Sequence, residues 1–281
     1  MEWRIVDSII NMALEEDLGW GDVTTESTIK EASVSEGVFI AKENGIIAGI
    51  NVVERVFRLV DESLVFDKMA VDGEFIENGQ IIAVVSGSSW SILKAERTAL
   101  NLLQRMSGIA TETNKYVEQI SDLKASIVDT RKTMPGLRYL DKYSVRAGGG
   151  KNHRYNLSDL ILIKDNHIKA AGGVKNAVEA AKVKLTQALK IEVEVENLEM
   201  LEEAIEAGAD IIMLDNMTSK VMEEAVALVC GKVLLEASGN ISLEPDSDRF
   251  VRKVAMTGVD IISVGAITHS VKFLDISLKF K

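Results

Sequence analysis

A chain of 281 residues, 47% hydrophobic and 27% charged, carries enough apolar material for one large barrel or two modest domains, and its composition excludes a disordered or low-complexity protein. A net charge of −11 argues against nucleic-acid binding, the single Cys230 excludes a disulfide framework or a Cys-based zinc cluster, and no apolar run approaches the roughly 18 residues of a membrane span. Met1-Glu-Trp-Arg4 lacks the basic-then-apolar pattern of a secretory signal, so a cytoplasmic protein is expected, with Cys230 packed as a small hydrophobe.

Residues 1–104 read as a mixed α and β domain. Ile5, Val6, Ile9, Ile10, Ala13 and Leu14 recur at helical spacing, and this helix stops before Gly19. Short β-type runs follow at Val38–Ile40, Ile46–Ile50, Leu64–Val71 and Ile81–Val85, the last entered through the turn pair Asn78-Gly79. From Ser91 a long helical pattern leads out of the domain through Ile92, Ala95, Ala99, Leu103 and Met106.

Over 105–269 the pattern repeats. Apolar, β-branched runs appear at Ser126–Val128, Leu160–Ile163, Ile191–Val193, Asp210–Leu214, Val233–Leu235 and Asp260–Val264, most of them separated by amphipathic helical stretches. Such alternation predicts a parallel sheet, and so many units in so short a span favour a barrel over a doubly wound open sheet. The tail, from about 270 to 281, has a period of two at Leu274, Ile276, Leu278 and Phe280, so it should return to the first domain's sheet.

In a parallel barrel the carboxyl ends of the strands converge on one face. Here those ends carry Arg131, Lys132, Lys164, Glu194, Asp215, Ser238-Gly239, Gly265 and His269. Between Arg131 and Lys164 eight basic residues stand against two acids, a net +6 in an acidic chain, which suits a small anionic ligand. Carboxylates beside such a site suggest Mg²⁺ carrying a phosphorylated substrate, and Ser238-Gly239 with Gly265 fit a phosphate cradle. Each residue alone has a plainer reading: Lys164 could pair with Asp165, Asp215 could cap the next helix, and His153, His167 and His269 could be structural histidines. Arg97 has no acid three or four positions away on its own helix, so its partner must be solvent, another element, another subunit or a ligand.

The segments Glu96-Arg-Thr-Ala-Leu-Asn101, Ser107-Gly-Ile-Ala-Thr111, Asp129-Thr-Arg-Lys-Thr-Met-Pro-Gly136, Gly148-Gly-Gly-Lys-Asn-His-Arg154, Leu162-Ile-Lys-Asp-Asn-His-Ile168, Glu192-Val-Glu-Val-Glu196, Leu214-Asp-Asn216, Ala237-Ser-Gly239 and Ser263-Val-Gly-Ala-Ile-Thr-His269 closely resemble the quinolinate phosphoribosyltransferase family, in the family's order. That resemblance implies an incomplete parallel α/β barrel with an N-terminal α+β sandwich domain, and a homodimer with shared active sites. The implied reaction joins quinolinate and phosphoribosyl pyrophosphate, with Mg²⁺, to give nicotinate mononucleotide, pyrophosphate and CO₂. Carried over by motif, Arg131, Arg154 and Lys164 would hold the quinolinate carboxylates, with Arg97 joining from the neighbouring subunit and His153 supporting the pocket. Lys132 would contact the pyrophosphate-bearing substrate. Glu194 and Asp215 would bind the ribose hydroxyls and the metal, largely through substrate and water, while Ser238, Gly239, Gly265 and His269 would cradle phosphate.

Two positions depart from the family pattern: Met134 replaces the usual Thr, and Asn240 stands where a second Gly is common. A sister family associated with molybdate transport shares the architecture, but the intact Lys164-Asp-Asn-His167 favours the quinolinate enzyme. A barrel aldolase using Lys132 or Lys164 as a Schiff base is one rival reading, and a binding protein without turnover is another.

Overall fold

The computed structural model describes residues 1–184 and 189–281. It divides into two compact units, one of residues 1–114, 133–149 and 267–281 and the other of residues 115–132 and 150–266. In chain order the elements are α1 (Trp3–Leu18), α2 (Val23–Thr28), β1 (Val34–Ala41), β2 (Gly45–Ile46), α3 (Ile50–Val60), β3 (Val65–Lys68), β4 (Phe75–Ile76), β5 (Ile81–Ser88) and the long α4 (Ser89–Gln119). There follow β6 (Ser126–Val128), α5 (Arg138–Ala147), β7 (Ile161–Ile163), α6 (Asp165–Ala171), α7 (Val174–Lys184), β8 (Ile191–Val195), α8 (Leu198–Glu206) and β9 (Ile211–Asp215). The chain ends with α9 (Ser219–Val229), β10 (Leu234–Ser238), α10 (Val251–Met256), β11 (Ile261–Ser263), α11 (Ala266–His269) and β12 (Ile276–Phe280). Among the described residues no helix is long and apolar enough to cross a membrane.

The first unit is built on an antiparallel sheet of order β12-β1-β5-β3. Its period-two tail pairs with β1 in the register Phe39↔Leu278 and Ala41↔Ile276, so the last strand closes one edge of the first sheet. Val6, Ile9, Ile10 and Leu14 form the buried stripe of α1, and Gly19 ends that helix at φ 50. Phe39, Phe57 and Phe66 pack ring on ring at 5.8–6.0 Å in the core between sheet and helices. Each such burial contributes about 1.5–3 kcal/mol.

One predicted strand is corrected. Of Ile46–Ile50 only Ile46 is in a strand, and Ile50 starts α3. Gly49 turns the chain at φ +100, and the Asp72 carboxylate accepts the N–H groups of Gly49 (2.8 Å) and Ile50 (2.9 Å), capping the new helix from a distant loop. The buried Val52, Val53, Val56 and Phe57 then follow helical spacing.

The second unit holds six parallel strands in the order β6-β11-β10-β9-β8-β7. The first strand in sequence pairs with the last (Ile262↔Ile127), as a barrel requires, and the seam between β6 and β7 is left open. This is an incomplete α/β barrel. Its outer helices bury narrow apolar stripes, such as Leu201 and Ala204 of α8 and Met222, Ala225 and Val229 of α9. Cys230 departs from expectation: it ends α9 at φ 49 with an exposed side chain, because the C-cap position lies just past the buried stripe.

Candidate active site

Alternation along the barrel strands decides which side chains share a face. The register pairs Leu162 with Glu192, Glu194 with Met213, Met213 with Glu236, and Asp215 with Ser238, so these residues line one side of the sheet in successive layers. Glu192 and Glu236 lie in the deeper layers and are fully buried, whereas Glu194, Asp215 and Ser238 stand nearer the strand ends and are partly exposed.

At the end of β7, Lys164 Nζ donates to Glu194 Oε2 at 2.5 Å. The pairing with Asp165 considered from sequence does not form; Asp165 binds Lys169 at 3.3 Å one turn along α6. His167 Nδ1 accepts the Lys164 N–H at 3.0 Å, so this histidine caps α6. Asp215 does not cap α9, since Thr218 takes that role at Val221 N, and its carboxylate accepts from Asn216 Nδ2 at 2.8 Å.

Arg154 donates to Leu160 O at 3.1 Å. Burial and then the charge of Arg131 lower its proton affinity, against the pull of Glu192 and Asp159. Two guanidinium groups that repel one another are a poor arrangement for water and a good one for a dianion. Arg131 and Lys132 are exposed on the loop after β6, where Lys132 N donates to Thr130 Oγ1 at 3.1 Å.

Behind them lies a cluster of which the sequence singled out only His153. His153 Nε2 sits 3.1 Å from Glu192 Oε2 and 3.3 Å from Glu236 Oε2, aligned squarely with neither, and the four carboxylate oxygens have no hydrogen-bond partner among the described residues. Burial works against a charged ring, but contact with and attraction to the two carboxylates prevail and push His153 up to about 10. Burial likewise raises Glu192 against the opposing pull of His153, and the Glu236 charge adds to the rise. His153 Nδ1 accepts the Arg154 N–H at 2.8 Å, which turns Nε2 toward the two carboxylates. Asp129, fully buried, receives His153 N at 2.9 Å and Asn152 Nδ2 at 2.6 Å, tying this segment to the end of β6. The period-two pair Glu192-Val-Glu194 was the available signal: two glutamates on one strand face cannot both reach the rim.

The loop after β10 is shaped by left-handed residues. Gly239 has φ +92, and a Cβ there would lie 2.1 Å from Asn216 Oδ1, so glycine is required. Asn240 has φ 49 and Asn216 φ 53, a conformation asparagine tolerates, which accounts for Asn240 where the family favours Gly. Arg249, also unremarked in the sequence, donates Nε–H to Gly239 O at 2.9 Å and Nη groups to Met217 O, Ser238 O and Gly239 O. Gly265 follows β11.

Arg97 and His269 belong to the first unit. Arg97 is exposed on α4 and makes no hydrogen bond or ion pair among the described residues. His269 ends α11, with Nδ1 2.7 Å from Ser270 Oγ. Met134 is half exposed, and its N–H reaches Asp141 Oδ2 at 3.2 Å.

A parallel barrel with cations and carboxylates at its strand ends, joined to an antiparallel sheet unit, defines an α/β-barrel enzyme class that handles small anions. The quinolinate phosphoribosyl transferase domains match residues 22–107 (N-terminal) and 109–279 (C-terminal). The chain is 42% identical over 280 residues to a probable nicotinate-nucleotide pyrophosphorylase [carboxylating] of Synechocystis sp., covering 99% of this chain and 93% of the relative. It is 44% identical over 270 residues to the Bacillus subtilis protein of the same name, covering 96% and 91%. The crystal structure of NadC from Streptococcus pyogenes superposes with a TM-score of 0.94 at 41% identity, covering 100% of this chain and 98% of that one. The chain belongs to the quinolinate phosphoribosyltransferase family.

Proposed function

We propose that this chain is a decarboxylating quinolinate phosphoribosyltransferase, which transfers the phosphoribosyl group of phosphoribosyl pyrophosphate to quinolinate in NAD biosynthesis. The observation that carries the reading is the placement on one unit of three cations, Arg131 on the loop after β6, Arg154 before β7 and Lys164 at the end of β7, a set that a vicinal dicarboxylate would neutralise.

In this reading Arg131, Arg154 and Lys164 grip the two carboxylates of quinolinate, and His153 steadies Arg154 through its N–H. Lys132 holds the pyrophosphate-bearing substrate. Ser238, Gly239, Gly265 and His269 receive phosphate. The ring nitrogen attacks the ribose anomeric carbon as the bond to pyrophosphate breaks. Positive charge developing on the ribose is met by Glu194 and Asp215. The pyridinium nitrogen then withdraws electrons from C2, whose carboxylate leaves as CO₂, and C2 takes up a proton. Positioning supplies most of what the protein must do.

Glu194 and Asp215 fit Mg²⁺ in kind: both are carboxylates of adjacent strands, partly exposed, and each has one oxygen without a hydrogen-bond partner among the described residues. When bound, the ion supplies charge neutralisation for the departing pyrophosphate. The reading includes a cytoplasmic homodimer in which the exposed Arg97 reaches the neighbouring subunit's substrate.

The experiment is release of labelled CO₂ from carboxyl-labelled quinolinate, with phosphoribosyl pyrophosphate and Mg²⁺ omitted in turn. Release that needs both, with an equal yield of nicotinate mononucleotide, is the expected result. No release from folded protein would overturn the reading.

A further inference from the structure

We propose that Arg249 is a positioning residue for the phosphate-facing loop, fastening its carbonyls so that the Gly239 and Asn240 N–H groups are presented as a pair of anion donors. The inference rests on the reading of Ser238-Gly239 as a phosphate cradle.

Three facts carry it. First, the guanidinium gathers carbonyls from two separate strand-end loops: Met217 O after β9, and Ser238 O and Gly239 O at and after the end of β10. Asn216 N adds a second donor to Ser238 O at 3.0 Å. Second, a trans peptide points its N–H opposite to its C=O. With the carbonyls of Ser238 and Gly239 turned to Arg249, the N–H groups that follow them, on Gly239 and Asn240, face away from it. Third, neither of these N–H groups has an acceptor among the described residues, and both residues have positive φ, +92 and 49. Consecutive free N–H groups on such a turn form an anion-binding concavity.

Charge-assisted hydrogen bonds also polarise the peptides they engage, which makes the opposite N–H a stronger donor. Arg249 would thus add positive character to the loop without touching the ligand. Its fork meets several carbonyls at once, and a lysine ammonium would not reproduce that. Burial lowers the proton affinity of Arg249, opposed by the nearby charges of Asp215 and Asp248.

The test uses the full chain with Arg249→Lys and Arg249→Gln. The KM for phosphoribosyl pyrophosphate and the Kd for ribose 5-phosphate should each rise about tenfold, while the KM for quinolinate stays near that of the parent. A residue that merely stabilised the fold would shift both substrates alike. Should the variants fail to fold, amide NMR of the parent decides: titrated ribose 5-phosphate should move the Gly239 and Asn240 signals. Unchanged binding in folded variants, or unmoved amides at saturation, overturns the proposal. Ribose 5-phosphate binding is independent of quinolinate turnover, so an inactive but phosphate-binding protein would sink the parent reading and leave this one standing.

Discussion

Lys164 and Glu194 meet at 2.5 Å across the ends of two neighbouring strands, with the lysine nearly half exposed and the carboxylate only 13% exposed. The pair is therefore asymmetric. Removing the lysine strands a mostly buried carboxylate, and Lys164→Ala should lower stability by about 2 kcal/mol. If Lys164 also grips quinolinate, kcat/KM for that substrate should fall about 100-fold, near 2.7 kcal/mol. Urea denaturation and steady-state kinetics check the two effects separately, and normal quinolinate kinetics would remove Lys164 from the substrate site.

Gly239→Ala should be damaging for a reason local to the loop. The added methyl meets Asn216 Oδ1 in a backbone that disfavours any side chain. A loss of about 1–3 kcal/mol is expected, with weakened binding of phosphoribosyl pyrophosphate. Asn240→Gly should be nearly silent, since asparagine already holds the left-handed conformation there. Equal tolerance of both changes in a thermal melt would show that the loop is looser than described.

Arg105 and Asp141 form a buried two-pronged pair, 2.9 and 2.8 Å, in the first unit, and Asp141 also receives Met134 N. Asp141→Ala leaves a buried guanidinium without its partner and should cost about 3–5 kcal/mol. Guanidinium chloride unfolding provides the measurement; a midpoint like the parent's would contradict the burial.

The His153, Glu192 and Glu236 cluster sets a pH dependence. His153, at about 10, and Glu192, raised by burial, both bind protons more tightly folded than unfolded. Stability from the histidine is thus fully present below about pH 6.5 and is lost as pH rises through about 10, on the order of a few kcal/mol. The denaturation midpoint should fall between pH 7 and 10, and His153→Gln should flatten that fall. An equally steep profile in the variant would assign the dependence to other groups.

Arg97→Ala should abolish turnover while leaving the fold intact. If the proposed dimer shares its sites, mixing with Lys132→Ala should recover activity in heterodimers, because one site then combines two intact contributions. Demonstrably mixed dimers with no recovery would count against a shared site.

Much of the architecture was legible before any coordinates. Six barrel strands stood out because strands buried on both faces read as continuous apolar runs, and β12 because a half-exposed strand alternates. The same logic failed at Ile46–Ile50, where an apolar run of that length serves strand or helix equally, and where the deciding contact is Asp72, more than twenty positions away. At the site, Lys164 and Glu194 could be placed at strand ends, but not their pairing, which depends on two strands being neighbours in register.

Local physics written along the chain determined the periodicity of each element, the position of its ends and the charge it carries there, because those follow from residues a few positions apart. Tertiary structure alone decided which buried acids face one another and which carbonyls a side chain gathers. Glu192 and Glu236 share His153 because strands β8 and β10 and the segment between α5 and β7 converge in three dimensions. Arg249 serves three peptide carbonyls, groups that every residue possesses and that no sequence pattern marks.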